Sequence, residues 1–281
     1  ALTYSQFSEN ESLRVRIDSE LIDGVYSGGV ITASVRGAAG SVADSHDLGA
    51  TVQRCLVYEG DNAVDVASDL MVTYGGIPAS YINATAWNEQ KTAWLTLAEV
   101  NRTISEPTSV KKLISSLSLQ SGFDLWVDDE AAEVKLLALA PQSVPDLPVL
   151  TDATQLLDSK ITLKHDTSKR ISRVLYYYDK RDQTENDDKK QFRTAYILLS
   201  SDAESVTQYG TTPKNRDIIG TWANVQTMVA TIASRVLARY KDGVKEFRFQ
   251  LDARDAATRS EEHSLNSSHT VISYAVFCLK K

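Results

Sequence analysis

Residues 105–139 read SEPTSVKKLISSLSLQSGFDLWVDDEAAEVKLLAL, and this stretch decides the fold: one helix followed by one β-hairpin. Pro107 suits a first helical turn, where its missing N–H is not needed. Val110, Leu113, Ile114 and Leu117 recur at helical spacing and are expected to face the hairpin. Gly122 is the C-terminal stop. Phe123, Leu125 and Val127 then alternate with Asp124, Trp126 and Asp128. Asp128-Asp129-Glu130 is a polar turn, and Val134 and Leu136 belong to a second apolar strand. The pattern is that of a small docking module.

Upstream, residues 12–58 are β-rich. Leu13, Val15 and Ile17 alternate with Arg14, Arg16 and Asp18. Residues 30–35 and 51–58 give two more strands. At 61–74 the period changes: Ala63, Val66, Ala67, Leu70, Met71 and Tyr74 share a helical face, with Asp61 as N-cap and Gly75-Gly76-Ile77-Pro78 as the stop. A weaker helical segment carries Trp87, Trp94, Leu95 and Leu97. Downstream, Pro141, Pro145 and Pro148 punctuate a linker. Ile161 and Leu163 mark a strand, and 170–199 is a long hairpin around the charged loop 180–191. In that hairpin Tyr176 and Tyr178 lie on one face and Leu175 and Tyr177 on the other. One face is expected to pack on the amphipathic helix spanning Trp222 to Tyr240, and the other to need a partner. Phe247, Phe249 and Leu251 alternate as a last strand.

A length of 281 residues implies about two domains. No apolar run approaches the ~18 residues that span a bilayer. The net charge of −7 argues against tight binding to nucleic acid, which requires phosphate neutralisation by Lys and Arg. Cys55 and Cys278 are too few for a disulfide framework. The last segment reads as foreign. Arg259-Ser260-Glu261-Glu262-His263 resembles the translated start of a sequencing adapter, and Ser264 to His269 fit the same adapter after a single-base deletion. Residues 259–281 are therefore taken as a non-native tail, and both natural termini are expected to be missing. Without the tail the net charge is −8.

Known catalytic signatures do not occur. The chain holds no glycine-rich dinucleotide fingerprint, P-loop, H-E-x-x-H or G-x-S-x-G. Cys55 lies in a strand and reads as a buried structural thiol. His46-Asp47 and His165-Asp166 place a histidine beside a carboxylate, but neighbours on a strand or turn point apart, so neither is a natural dyad. Asp128-Asp129-Glu130 has the donors for a hard cation, yet reads better as a solvated turn. Two Asn-x-Thr sequons, at Asn83 and Asn101, lack a secretory signal. The Tyr176–Tyr178 run and the four tryptophans sit in acidic or periodic settings and suit core or subunit contact rather than base stacking. These residues give no catalytic, cofactor-binding or metal-binding set.

Several passages together resemble the tail-tip, or baseplate hub, proteins of long-tailed bacteriophages with flexible tails. Val35-Arg36-Gly37 followed by His46-Asp47-Leu48-Gly49-Ala50-Thr51-Val52-Gln53 is similar to that family's RG…H-x-x-G-x-x-V passage. Pro78-Ala79-Ser80-Tyr81-Ile82 and Trp87 follow in order. The most specific passage runs from Ile104 through Asp128, and later ones are Arg170 to Val174 with Tyr177-Tyr178, Tyr209-Gly210 before Lys214, Leu237 to Tyr240, and Phe249 to Ala253. The resemblance covers about 30 to 258.

It implies an α+β fold class in which β-barrel-like domains with packed helices flank a central α+β unit. Residues 1–58 would be the β-rich end of an N-terminal barrel domain, 59–140 the α+β unit, 141–158 a linker and 159–258 a hairpin–helix–strand barrel domain. It also implies a non-enzymatic virion protein without cofactors: a homotrimer joining the tail tube to distal-tail, tape-measure, tip or fibre proteins. DNA would pass only in transit, and assembly would occur in the host cytoplasm. Two other readings compete. A tail-associated cell-wall hydrolase needs a convergent acid pair or a nucleophile–base set, and the sequence offers neither. A generic carbohydrate- or protein-binding module could rest on 105–139 alone.

Overall fold

The computed structural model describes residues 7–140, 156–166, 170–200, 213–242 and 244–251; the side chains of 156–161, 165–166 and 244–251 lie outside that description. The chain is mixed α+β with several small sheets. Strands β1 (Glu11–Ile17), β2 (Glu20–Ser27), β3 (Val30–Val35) and β4 (Val52–Arg54) form an antiparallel sheet in the order β3-β2-β1-β4. β5 (Leu56–Asn62) pairs with β6 (Glu99–Ile104), and β7 (Phe123–Asp128) with β8 (Glu133–Ala138). β9 (Leu156–Asp166) pairs with β13 (Val244–Leu251). β10 (Arg173–Lys180), β11 (Phe192–Leu199) and β12 (Asn215–Ile219) form a sheet ordered β11-β10-β12. The helices are α1 (Ala63–Asp69), α2 (Ala84–Trp94), α3 (Val110–Ser121) and α4 (Gln226–Tyr240). Among the described residues no sheet closes into a barrel. None of the described helices is long and apolar enough to cross a membrane.

Two compact units result. The first is discontinuous: residues 1–139, 175–197 and 217–233. The second comprises 140–174, 198–216 and 234–281.

In the first unit α3 and its hairpin form as the sequence pattern predicts. Ser109 caps α3 by accepting a hydrogen bond from the Lys112 N–H, so Pro107 lies ahead of the cap rather than in the first turn. Gly122 ends the helix in the left-handed region at φ 75°. A Cβ there would stand 2.8 Å from Ile232 Cδ1, so both backbone and packing require glycine. Leu113 and Leu117 are buried, Val110 and Ile114 half-buried, and α3 packs on β7 and α1. Leu113→Ala should cost about 2–5 kcal/mol, read as a lower denaturant midpoint at constant m. A loss under about half a kcal/mol would show that the wrong face had been assigned to the core. The hairpin's outer end is less apolar in practice than in pattern, because Val127 is exposed.

The structure corrects four local expectations. Asn62, not Asp61, caps α1, accepting from the Val64 N–H at 3.0 Å, while Asp61 accepts from the Glu59 N–H. The helical face of 63–74 ends in five residues of π-helix that leave Tyr74 exposed. The strand expected over 51–58 breaks at Cys55, and its halves join different sheets. Trp222 precedes α4 and is not part of it.

α2 lies on the hairpin through two specific bonds. Trp87 Nε1 donates to the Val134 carbonyl at 2.9 Å, and Gln90 accepts from the Ala138 N–H. The chain returns after the linker to complete this unit. Trp222 is fully buried beside Tyr58, and the Arg102 guanidinium lies 4.7 Å from its ring centroid. Its indole N–H donates to Ser116 Oγ at 2.8 Å, and its backbone N–H to Gln120 Oε1 at 2.9 Å. Tyr176, also fully buried, donates its hydroxyl proton to the Gln120 carbonyl, so the Tyr176–Tyr178 face reaches the end of α3. Gly220 passes close over that ring: a Cβ would meet Tyr176 Cε1 at 2.3 Å. The other side of the hairpin leaves Ile197 and Leu199 exposed on β11.

In the second unit the β9–β13 ladder shifts register between Arg248 and Gln250. Ser172 and Lys214 exchange bonds, the Ser172 N–H to the Lys214 carbonyl and the Lys214 N–H to Ser172 Oγ. The Arg216 guanidinium lies 5.5 Å from the Tyr240 ring centroid. The 259–281 tail and most of the linker fall outside the described residues.

Candidate functional site

A charged knot at one end of the first sheet is built from elements far apart in sequence. β2 begins at Glu20, in phase with Ile22, Gly24 and Tyr26, all buried. Glu20 therefore points its carboxylate inward, where an unpaired charge costs several kcal/mol. The chain leaving β3 supplies the partners. Arg36 grips the carboxylate in a fork, Nε to Oε1 at 2.5 Å and Nη2 to Oε2 at 2.6 Å. Gly37, in the left-handed region at φ 65°, turns its N–H onto Oε1 at 2.9 Å. The Asp44 N–H reaches Oε2 at 3.1 Å, and Arg36 Nη2 also donates to the Asp44 carbonyl. His46 Nε2 completes the set at 2.8 Å from Oε2, while Nδ1 lies 2.9 Å from Asp18 Oδ2 in the β1–β2 turn. A second tie lies alongside: the Leu21 N–H donates to Ser41 Oγ, which donates to the Ala38 carbonyl.

The electrostatics follow from this geometry. The Arg36 hydrogen bonds, aided by two backbone N–H groups and His46, hold the Glu20 carboxyl well below the usual carboxylate range despite burial. Asp18 first and Glu20 second raise the His46 pKa. With two donors on Oε1 and three on Oε2, Glu20 has no accepting capacity left for a substrate proton. The knot is an anchor for the segment 36–46.

Arg36, Gly37 and His46, the first members of the RG…H-x-x-G-x-x-V passage, thus converge on one atom group. Gly49 follows at φ 92° and Val52 opens β4. His46 meets Asp18 and Glu20 rather than its neighbour Asp47. Glu20 escaped the sequence reading because β2 did; its signal was a charge in phase with a buried face. His165 lies on β9, opposite Lys245, with its side chain outside the described residues.

Other sequence candidates take structural places. Cys55 is buried with Leu21 and Ala38, and burial pushes its thiol up to about 11, far from a reactive thiolate. Asp128 folds its own turn, accepting from the N–H groups of Glu130 and Ala131. A cavity of about 500 Å³ lies between α1 and α2. Its only ionisable lining residues, Asp65 and Lys91, pair with each other at 2.5 Å. Among the described residues no group of His, Cys, Asp and Glu is arranged to hold a metal.

Beside the knot the surface is apolar. β3, a sheet edge, carries no charged side chain, and Val30 and Val35 are 61% and 49% exposed. By the β2–β3 register, with its irregularity between Asp23 and Gly24, Val25, Val30 and Val35 share the sheet's outer face. Val42 and Leu48, within and just beyond the anchored segment, are also exposed.

No family model matches the chain, and no curated protein matches it. Solved structures that it resembles include phage tail proteins. A tail protein from Neisseria meningitidis is 15% identical, over 87% of this chain and 68% of that one, with a TM-score of 0.41. The prophage tail protein gp18 from Listeria monocytogenes is 9% identical, over 89% and 77%, with a TM-score of 0.37. The 43 kDa tail protein of prophage MuSo2 from Shewanella oneidensis is 10% identical, over 90% and 70%, with a TM-score of 0.40.

Proposed function

We propose that this chain is a structural component of a bacteriophage tail, the tail-tip or baseplate hub, without enzymatic activity. It joins the tail tube to tip or fibre proteins as a homotrimer and lines the passage for DNA. The observation that carries the reading is the Glu20 knot. The passage that first resembled the hub family is a working unit in three dimensions, pinning 36–46 against β2. The surface next to it favours assembly. An uncharged edge strand and exposed valines are features that a soluble monomer avoids and a subunit interface uses. The exposed Ile197 and Leu199 on β11 are a second such surface. A net charge of −7 suits a channel through which DNA moves without adhering.

In this reading 1–58 is the end of an N-terminal barrel domain, 59–140 the α+β unit and 159–258 part of a second barrel domain. Distal-tail and tape-measure proteins are its further partners, and it resides in the virion tail after assembly in the host cytoplasm. The hydrolase reading draws on His46 beside two carboxylates. That cluster is saturated with hydrogen bonds, and none of its members lines the cavity between α1 and α2. Light scattering on the full-length protein at micromolar concentration tests the proposal, with three times the chain mass expected. A protein that stays monomeric at high concentration and fails to bind the tail-tube protein encoded beside it would overturn it.

A further inference from the structure

We propose that His46 is a protonation-dependent latch that joins the segment after β3 to the β1–β2 turn only in its imidazolium form. The argument is geometric. Nδ1 and Nε2 each lie within hydrogen-bond distance of a carboxylate oxygen, at 2.9 and 2.8 Å. Neutral imidazole carries one N–H and one lone pair, so it satisfies only one of these contacts and sets its lone pair against the other oxygen. Both bonds exist together only when both nitrogens are protonated. The charged groups around the ring agree. Asp18 faces it from the β1–β2 turn and Glu20 from β2, while Arg36 from the chain after β3 is committed to Glu20 and to the Asp44 carbonyl. Asp44 gives its backbone N–H and carbonyl to this cluster and its carboxylate attracts Arg36, and Arg16 is turned to the Asp18 carbonyl and to Glu106.

The two contacts do not fail together. Glu20 is buried and keeps its bonds from Arg36, Gly37 and Asp44 whatever happens to the ring. Asp18 has a 63% exposed side chain and can exchange the imidazolium for water. It also sits at φ 53°, a left-handed conformation that is uncommon for a residue with a Cβ. Loss of the proton therefore releases the Asp18 side of the latch. Residues beyond 46, with Leu48 fully exposed, then lose their tie to the turn, while 36–44 stays anchored. Because the folded pKa is raised, the stabilisation is complete below the ordinary histidine value of about 6.5 and disappears as pH rises through the higher folded value.

The device is independent of the tail assignment and is tested without a partner. Nitrogen-detected NMR of the wild-type imidazole should show both ring nitrogens of His46 protonated below its titration midpoint, and that midpoint should lie above about 6.5. Asp18→Asn should move that midpoint down. In thermal melts between about pH 5 and pH 10, the wild type should exceed His46→Gln at the acid end, and the difference should vanish through the NMR midpoint. A His46 midpoint at or below the ordinary value, or one that Asp18→Asn leaves in place, would overturn the latch. So would a difference between the proteins that stays constant across the range. The wild-type titration decides the matter even where His46→Gln fails to fold.

Discussion

Trp222→Ala should cost about 3–5 kcal/mol. The indole is fully buried, so truncation opens a cavity as well as losing transfer energy. It also strips the Arg102 guanidinium of its aromatic face and Ser116 Oγ of a donor. Arg102 is held in low-polarity surroundings, which already lower its pKa, so loss of the ring falls on a group with few alternatives. Chemical denaturation at constant m measures the effect. Trp222→Phe, which keeps much of the volume but not the N–H, should lose less. A Trp222→Ala cost under about 1 kcal/mol would mean that the first unit closes without this residue.

Glu20→Ala should cost about 3 kcal/mol, the low end for breaking a buried ion pair, because Arg36 is nearly half exposed and can rehydrate. The backbone N–H groups of Gly37 and Asp44 lose their acceptor at the same time. Glu20→Gln separates charge from shape: it keeps an acceptor but not the ion pair. Since the folded carboxyl is held below its ordinary range, its stabilisation is present above the unfolded value of about 4.3. It is lost as pH falls through the lower folded value, so the gap between wild type and Glu20→Gln should narrow at strongly acid pH. Melting curves at neutral and acid pH check this, and a gap that widens with acid would show that Glu20 is not the centre of the knot.

What the sequence disclosed follows from the range of the interactions. The 105–139 unit was legible because Leu113, Leu117 and the β7–β8 alternation are local patterns completed by a neighbouring turn. β2, β6 and β12 were not legible. Glu20 and Asp23 in β2, Asn101 and Arg102 in β6, and Arg216 and Asp217 in β12 break the apolar alternation, and several of these find their partners from distant segments. The spacing of Trp222 to Val225 and Val229 is helical and predicts that the helix includes it. Its backbone N–H goes instead to Gln120, more than a hundred residues away. The passage with Arg36 and His46 stands out in the sequence, but its role depends on Glu20, and a carboxylate's burial cannot be read without the strand that buries it. The amphipathic pattern of α4 succeeded from Gln226 onward for the same reason as α3.

The discontinuity of the first unit has a consequence for synthesis. When the ribosome has made residue 139, Tyr58, Arg102, Ser116 and Gln120 already exist, but the ring that fills the space among them does not. About ninety further residues must be added, roughly 5–20 s at ordinary elongation rates, before residues 217–233 emerge. Through that interval the nascent chain holds an unfilled socket with a half-buried arginine at its wall. Binding of nascent-chain holdases should persist past residue 139 and end only after Trp222 clears the exit tunnel. Slowed codons placed between 140 and 216 should lengthen that exposure and lower the yield of soluble protein.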